Sequence, residues 1–474
     1  MSIRIYNSLS RQVEPLETIE PRVVRLYVCG VTVYDAAHIG HAMSALVFDT
    51  VRRYLEHRGY QVRHVVNFTD VDDKIIRRSL EEEVSAYEIA DRYARDYLIG
   101  MKRLHVLPAT LYPRVSSEMP AIVAMIQTLV AKDQAYAAEN GDVYFRSRRF
   151  HGYGQLSGRS FEDAESQEPE SGFKEDPADF ALWKAAKPGE PAWDSPWGQG
   201  RPGWHIECSA MAGRHLGEQI DIHGGGMDLL FPHHENEIAQ SEAATGRHPF
   251  SRIWMHNGML RVNGEKMSKS LGNFITLDDF LARFDPDVLR LLVLSSHYRK
   301  PVNYTDNAIA ASEKGLERLW GALRPARAGS GGHQADVDRL VEAASQTCMD
   351  LETAMDDDFG TPGALAALFG LVTEINRARD AGVDAESLGQ AQATLVSQAL
   401  VLGLDLPRGA AHAGQAAGGG DALVDGLMAL VLDLRARARA ARDWAASDTI
   451  RDRLAELGLE VVDTPDGSSW RHGN

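Results

Sequence analysis

Cysteine is scarce in this chain: Cys29, Cys208 and Cys348 are the only three in 474 residues. So few, set so far apart, exclude a disulfide-stapled secreted scaffold and point to a reducing cytoplasm. Long apolar runs are lacking too. Nothing approaches the about 18 residues needed to cross a bilayer, and the opening MSIRIYNSL has no apolar signal core. A cytoplasmic protein with no membrane partner is therefore expected. Positive charge is also in deficit. At a net −17, the chain cannot coat nucleic acid by charge alone, although one local basic face remains open to it. RARARAAR (435–442) is the candidate for that face; the alternative is a solvated helix surface.

What is present reads as an ordinary globular composition, 44% hydrophobic and 25% charged, long enough for three or four domains. VVRLYV (23–28) is short, apolar and β-branched, hence a buried strand. An amphipathic helix near 42–58 follows, closed by Gly59, and QVRHVVNF (61–68) predicts the next strand. Strand, helix, strand at this spacing predicts a βαβ unit of a parallel sheet. Helical patterns then fill roughly 85–138. Residues 147–202, rich in Gly, Pro, Ser and charge, predict an irregular insertion. Strand patterns return at QIDIH (219–223) and RIWMH (252–256), with a helix starting around Pro232 between them. Helical period dominates 277 to about 403, which predicts a bundle. LPRGAAHAGQAAGGG (406–420) reads as a linker. Residues 421–474 then make a small module of two helices and a short strand at 459–463.

Three short stretches could carry chemistry. HIGH (38–41) lies between the first strand and its helix, where α/β sheets bind nucleotides. Two imidazoles can donate hydrogen bonds to phosphate oxygens, and a glycine lets a ligand approach the backbone. KMSKS (266–270) reads as a mobile cationic loop. FPHHENE (231–237) places His233 and Glu237 four residues apart, on one face if helical, as two ligands of a metal would be. His234 competes by proximity but points about 100° away on a helix.

HIGH and KMSKS on one α/β chain resemble the class I aminoacyl-tRNA synthetases. The details are similar to the cysteine-specific branch of that family. They are YVCGVTVYDAAHIGHA (27–42), NFTDVDDKII (67–76), GRPGWHIECSAM (200–211), DIHGGGMDLLFPHHENEIAQSE (221–242), EKMSKSLGN (265–273), AMDDDFGTP (354–362) and DTPDGSSWR (463–471). The resemblance runs from end to end and is thin only within 147–202.

The resemblance implies an α/β fold: a Rossmann-type parallel-sheet catalytic domain split by an insertion, then an α-helical bundle and a small C-terminal α+β anticodon-binding module. The implied boundaries are 1–120 for the first catalytic half, 121–200 for the insertion, 201–256 for the second half, 257–310 for the KMSKS and stem-contact region, 311–405 for the bundle, 406–420 for the linker and 421–474 for the anticodon module. One zinc per chain is implied on Cys29, Cys208, His233 and Glu237; two thiolates, an imidazole and a carboxylate suit that metal. His38 and His41 with Lys266 and Lys269 are the implied catalytic residues. His38, Gly40, His41, Lys266, Ser268 and Lys269 would bind ATP, which brings Mg²⁺. Gly30, Thr69, Trp204, His223 and Asp228 would line the cysteine pocket. Trp444, Arg451, Asp463, Trp470 and Arg471 offer the planes and hydrogen-bonding edges that unstacked anticodon bases need. The implied partners are ATP, L-cysteine and tRNA(Cys), acting on a monomer. Two alternatives share the core motifs. A zinc-dependent cysteine ligase of low-molecular-weight thiol (mycothiol-type) biosynthesis lacks the C-terminal module. An inactive tRNA-binding homologue usually loses the signature histidines or lysines, and all four stand here.

Overall fold

The computed structural model describes residues 2–474 apart from 160, 162–170, 268–270, 327–331, 409–427, 429–430, 433, 436, 439–442, 457–458, 465–466 and 473–474. The chain divides into two compact units, Met1–Leu406 and Pro407–Asn474.

The first unit opens with a hairpin of β1 (Arg4–Asn7) and β2 (Gln12–Pro15). β3 (Val23–Thr32), α1 (Ile39–His57) and β4 (Gln61–Thr69) then form the expected βαβ unit, with Val24 opposite Val62 in a parallel ladder. The chain leaves α1 through Gly59 at φ 79°, a left-handed turn that glycine adopts without steric cost. α2 (Asp73–Glu82) and α3 (Ala86–Arg103) follow, and α4 (Met119–Ala131) leads to a second sheet. That sheet is antiparallel in chain order: β5 (Ala135–Ala137), β6 (Val143–Phe145), β7 (Phe180–Ala185) and β8 (Gly200–Pro202). Two expectations are corrected here. The stretch 85–138 is not continuous helix, and 147–202 is not wholly irregular. Strands of three to six residues between glycines and prolines are too short to show a period, yet Phe180, Leu182 and Trp183 of β7 are fully packed core.

α5 (Trp204–Leu216) returns the chain to the first sheet, which gains β9 (Ile220–Gly226), α6 (Glu235–Thr245) and β10 (Ser251–Asn257). The strand order is β10-β9-β3-β4, all parallel. The chain thus builds outward from β3 in one direction and from β9 in the other. Between them lies the switch point at which parallel sheets open a crevice beyond their carboxyl ends. A small sheet of β11 (Leu260–Val262), β12 (Glu265–Lys266) and β13 (Val302–Tyr304) adjoins, with α7 (Leu277–Leu281) and α8 (Pro286–Leu294) between its last two strands. The predicted bundle follows as α9 (Asp306–Ala322), α10 (Gln334–Asp356), α11 (Thr361–Asp380) and α12 (Ala385–Val401). The expected linker lies outside the described residues from 409 onward. The second unit contains α13 (Trp444–Glu456) and an antiparallel hairpin of β14 (Leu459–Thr464) and β15 (Gly467–His472). The sequence reading placed only the first of these two strands.

A buried ion pair ties the βαβ unit to the bundle. The Arg290 guanidinium of α8 lies 2.7 Å from Asp49 of α1, and both side chains are fully buried. Arg290 also donates to the carbonyls of Leu104 (3.1 Å) and Leu402 (3.3 Å), while Asp49 accepts from Arg53 and from the Leu107 N–H, both at 2.8 Å. Burial pushes the Asp49 carboxyl up, but Arg290, Arg53 and the Leu107 N–H outweigh it and hold the group below the usual carboxylate value. The folded value is thus lower than the unfolded one. The stabilisation is present above the ordinary pKa of about 4 and is lost as pH falls through the folded value. Arg290→Met, which strands a buried carboxylate, is expected to cost roughly 3–5 kcal/mol by urea denaturation at pH 7. The penalty of Asp49→Asn is expected to shrink steadily below about pH 4. A pH-independent penalty would show that packing rather than the charge pair links the two parts.

Candidate active site

The HIGH stretch is first of all a helix cap. His38 Nδ1 accepts the backbone N–H groups of Gly40 (3.1 Å) and His41 (3.3 Å), and His41 Nδ1 accepts the His38 N–H at 3.5 Å. The pair makes a reciprocal capping box, a job usually done by Ser or Thr with Glu. The rings stack at 3.6 Å between centroids. A ring nitrogen that accepts carries no proton, so each neutral imidazole holds its proton on Nε2. Burial, reinforced by the His38 and Lys74 charges, lowers His41 to about 3, so it is a neutral donor. Gly40 is required by the cap itself: a Cβ there would meet His38 Nδ1 at 2.9 Å. The segment after KMSKS is laced to this cap. The Ile39 N–H donates to Ile275 O (3.2 Å) and the Leu277 N–H to Ala37 O (2.8 Å). Lys266 stands on β12; Ser268 and Lys269 lie outside the described residues.

Beyond the carboxyl end of β3, four side chains from distant parts of the sequence converge. Cys29 comes from β3, Cys208 from α5, His233 from the turn before α6, and Glu237 from the first turn of α6. The Cys29 and Cys208 sulfurs are 3.6 Å apart. Glu237 Oε1 is 3.3 Å from the Cys29 sulfur and 3.1 Å from His233 Nε2. One ligand atom from each of the four lies within 4.8 Å of all the others, so the set could hold a metal ion. The electrostatics suit a cation. Burial pushes Glu237 up, but His223 and His233 prevail and bring it to about 2. Burial would also discharge His233, yet Glu237 and Cys208 raise it to about 10. Burial raises the Cys208 thiol, but its hydrogen bonds from Cys29 and His233 bring it down to about 6. An anionic pocket that holds on to its own proton is one that a divalent cation would satisfy.

A second grouping, Cys29, His223, His234 and Glu237, overlaps the first. In it His223 Nε2 meets Glu237 Oε2 at 2.9 Å, on the side of the carboxylate away from Cys29. His234 Nδ1 is engaged with His256 Nε2 at 2.8 Å. His205 and Asn67, which no sequence pattern singled out, support the first set. His205 Nδ1 lies 3.1 Å from His233 Nδ1. Asn67 Oδ1 accepts from the Gly30 N–H (2.8 Å) and the Cys208 thiol (3.7 Å). Each sits inside a motif string, but only folding reveals what its side chain reaches.

The capping histidines and Cys29 of the cluster share one cavity of about 420 Å³, walled also by Gly30, Trp204, Asp228 and Lys266 among others. Trp204 stacks on the His233 ring at 4.4 Å and keeps 38% of its surface exposed. Of the residues expected to line a cysteine pocket, Gly30, Trp204 and Asp228 line this cavity. Thr69 is buried and donates to Glu207 (3.0 Å), and His223 is buried against Trp254 (4.3 Å), both behind the wall. In the second unit Trp444, 57% exposed, and Arg451, 3.3 Å from Asp448, stand on α13. Asp463 lies on β14, and Trp470 and Arg471 on β15, with Val461 opposite Trp470.

Solved structures place this fold. The chain is similar to methionyl-tRNA synthetase of Mycobacterium tuberculosis in complex with methionyl-adenylate, with TM-score 0.58, 15% identity, and 80% of this chain and 89% of that one covered. It is also similar to a leucyl synthetase of Agrobacterium radiobacter K84 in a ternary complex with tRNA, with TM-score 0.56, 11% identity, and 83% and 85% covered. Fold and site together define a class I synthetase architecture. Residues 15–314 match the family described as tRNA synthetases class I (C) catalytic domain, 351–407 the DALR domain, and 428–471 the cysteinyl-tRNA ligase anticodon binding domain. Among curated proteins, the cysteine–tRNA ligase of Heliobacterium modesticaldum is 50% identical over 486 residues, covering 99% of this chain and all of that one. That of Halorhodospira halophila is 49% identical over 473 residues, covering 99% of each. The chain belongs to the cysteinyl family of class I tRNA synthetases.

Gly30 is where the cluster and the sheet compete for space. A Cβ there would sit 1.6 Å from the Asn67 carbonyl oxygen, at the point where the β3–β4 register slips between Val28 and Val31. Gly30→Ala must therefore push the strands apart beside Cys29. It is expected to cost about 3 kcal/mol or more in unfolding free energy, and a cost below about 1 kcal/mol would show that the strand ends yield freely.

Proposed function

We propose that this chain is a cysteine–tRNA ligase whose metal cluster recognises the substrate sulfur. It activates L-cysteine with ATP to cysteinyl-adenylate and pyrophosphate, then passes the cysteinyl group to the 3′-terminal adenosine of tRNA(Cys). One observation carries the reading at the site: Cys29, one of the four residues of the Cys29, Cys208, His233 and Glu237 cluster, lines the same cavity as the HIGH imidazoles.

The nucleophile of the first step is the cysteine carboxylate, already ionised, so no general base is needed. The work is positioning and charge stabilisation around the α-phosphorus. His38 and His41, their Nδ1 atoms fixed in the cap, present Nε2–H donors to the phosphate oxygens. Lys266 and Lys269 bring positive charge to the β- and γ-phosphates, shared with the Mg²⁺ that accompanies ATP. Gly30, Trp204 and Asp228 line the cysteine site, with Asp228 suited to the ammonium group; Thr69 and His223 support it from behind. The donor set of two thiols, an imidazole and a carboxylate, closely spaced, fits zinc. When bound there, zinc supplies a Lewis acid that lowers a thiol's pKa and prefers soft sulfur to a hydroxyl oxygen. Packing alone separates such near-isosteres by only about 1–3 kcal/mol, so a sulfur-specific contact is what permits refusal of serine in one step. The second unit, with Trp444, Arg451, Asp463, Trp470 and Arg471, reads the anticodon. The enzyme works as a monomer in the cytoplasm.

Pyrophosphate exchange tests this directly. Cysteine should drive exchange at least about 10⁴-fold better than serine, beyond what packing can supply. Cys208→Ser should lose both the metal and cysteine-driven exchange; exchange driven equally by the two amino acids would refute the assignment. His38→Asn isolates the chemistry from the cap. Asparagine caps helices well, so stability should change by less than about 1 kcal/mol, whereas exchange should fall roughly 100-fold with the lost Nε2–H donor. Unchanged exchange would leave His38 with capping alone.

A further inference from the structure

The helix that carries Glu237, with His233 in the turn just before it, has no side-chain cap of its own. α6 begins at Glu235 without a side-chain hydrogen bond to its first N–H groups. The turn before it is irregular, with Phe231 at φ −142° and ψ 134°. Locally, His233 and Glu237 are joined by their own 3.1 Å contact and by the Glu235 N–H to Pro232 O bond across this irregular turn. A contact from outside the helix would hold that turn in place.

That support comes from the insertion. Residues 153–159 form a tight loop in which the Gly158 N–H donates to Gly154 O at 2.8 Å, with both glycines at positive φ. A Cβ on Gly154 would strike Arg159 O at 2.2 Å. The loop touches the metal-ligand segment at Phe231, Glu235 and Asn236. Glu235, fully buried, accepts the N–H groups of Ser157 (2.8 Å) and Leu156 (3.3 Å). Asn236, also buried, accepts the Tyr153 hydroxyl at 2.5 Å. The Arg159 guanidinium lies over the Phe231 ring at 4.6 Å. On a helix the side chain at 235 leaves opposite 233 and 237, and that at 236 flanks them. The loop thus grips the back and one flank of the turn that holds the ligands.

We propose that residues 153–159 are a strap that sets the metal-binding geometry, with Glu235, Asn236 and Tyr153 as positioning residues for the cluster. The proposal rests on reading that cluster as a metal site. The Glu235 carboxylate accepts two backbone N–H groups of the loop, and through it the insertion is joined to the helix that carries Glu237. Outer-shell supports of this kind typically change metal affinity about 10–100-fold.

The test uses the full-length zinc-loaded protein. Zinc release to a chromophoric chelator is followed in the parent, Glu235→Ala, Glu235→Gln and Tyr153→Phe, together with KM for cysteine and for ATP. The strap predicts release roughly tenfold or more faster in Glu235→Ala, partial recovery in Glu235→Gln, which keeps one acceptor, and a smaller acceleration in Tyr153→Phe. KM should rise for cysteine and stay level for ATP. A fall in thermal stability with unchanged zinc release and unchanged cysteine KM would overturn the proposal, leaving the loop a merely structural one. Should Glu235→Ala fail to fold, Tyr153→Phe decides alone, since it removes only a hydroxyl. A parent that binds no stoichiometric zinc would instead defeat the reading of the cluster itself.

Discussion

Glu237 is a carboxylate with no exposed surface, and an ionised carboxyl is tolerated in such a place only among donors or cations. That requirement organises this end of the molecule. One oxygen faces Cys29 and His233, and the other faces His223. To bring those groups to one carboxylate, β3 and β9 must be neighbours, α6 must follow β9, and α5 must cross close enough for Cys208. The parallel pairing of Tyr27 with His223 is the register that places Cys29 and His223 on either side of Glu237. A slip of one residue would turn His223 to the other face of the sheet. The burial that makes the charge costly also makes it useful, because a dry anionic pocket distinguishes a soft cation and its sulfur partner far better than a wet one does.

The same switch point that gathers the cluster also fixes the HIGH cap. α1 starts directly beyond β3, so the imidazoles that cap it stand within the same cavity as Cys29. The bridge between His38 and Thr276 then ties the start of α1 to the chain that leaves the KMSKS loop. Sequence segments more than two hundred positions apart become one wall. Arg290 extends the arrangement outward, since its contacts reach α1, the 104–105 carbonyls and the end of α12.

How far this could be read beforehand depended on the length of each signal. β3, α1, β4, β9 and β10 were legible because buried parallel strands and an amphipathic helix carry unbroken apolar patterns. The short strands β7 and β8 and the last strand, β15, were not, being brief and set among glycine, proline and serine. α2 and α5 also went unremarked as helices; α5 passed as part of a motif string, though it delivers Cys208. Of the four cluster side chains, His233 and Glu237 were legible from their spacing, but Cys29 and Cys208 were reachable only through family resemblance, since they share no spacing. Their supports were invisible. His205, Asn67 and Glu235 look like ordinary polar residues until the fold shows what each side chain meets. Thr69 and His223 illustrate the converse: both were expected to line a pocket, yet both are buried away from the cavity's lining.

One chemical device recurs. An imidazole has two nitrogens, and a contact at one decides what the other can do. At His38 and His41, backbone N–H groups occupy Nδ1 and so commit Nε2 to donation. At His233 the logic runs the other way. If Nε2 is to offer a lone pair to a metal, Nδ1 must carry the proton and donate it, and the neighbour at 3.1 Å is His205 Nδ1. Burial, aided by the His233 charge, holds His205 well below the usual imidazole value, which keeps it neutral and able to accept. The fold thus uses the residue's two ends for different purposes: one nitrogen for structure, the other for chemistry. Asparagine or glutamine can reproduce either end of the ring but not both, which is why a histidine suits a position where one contact must fix the side chain and leave the other free to act.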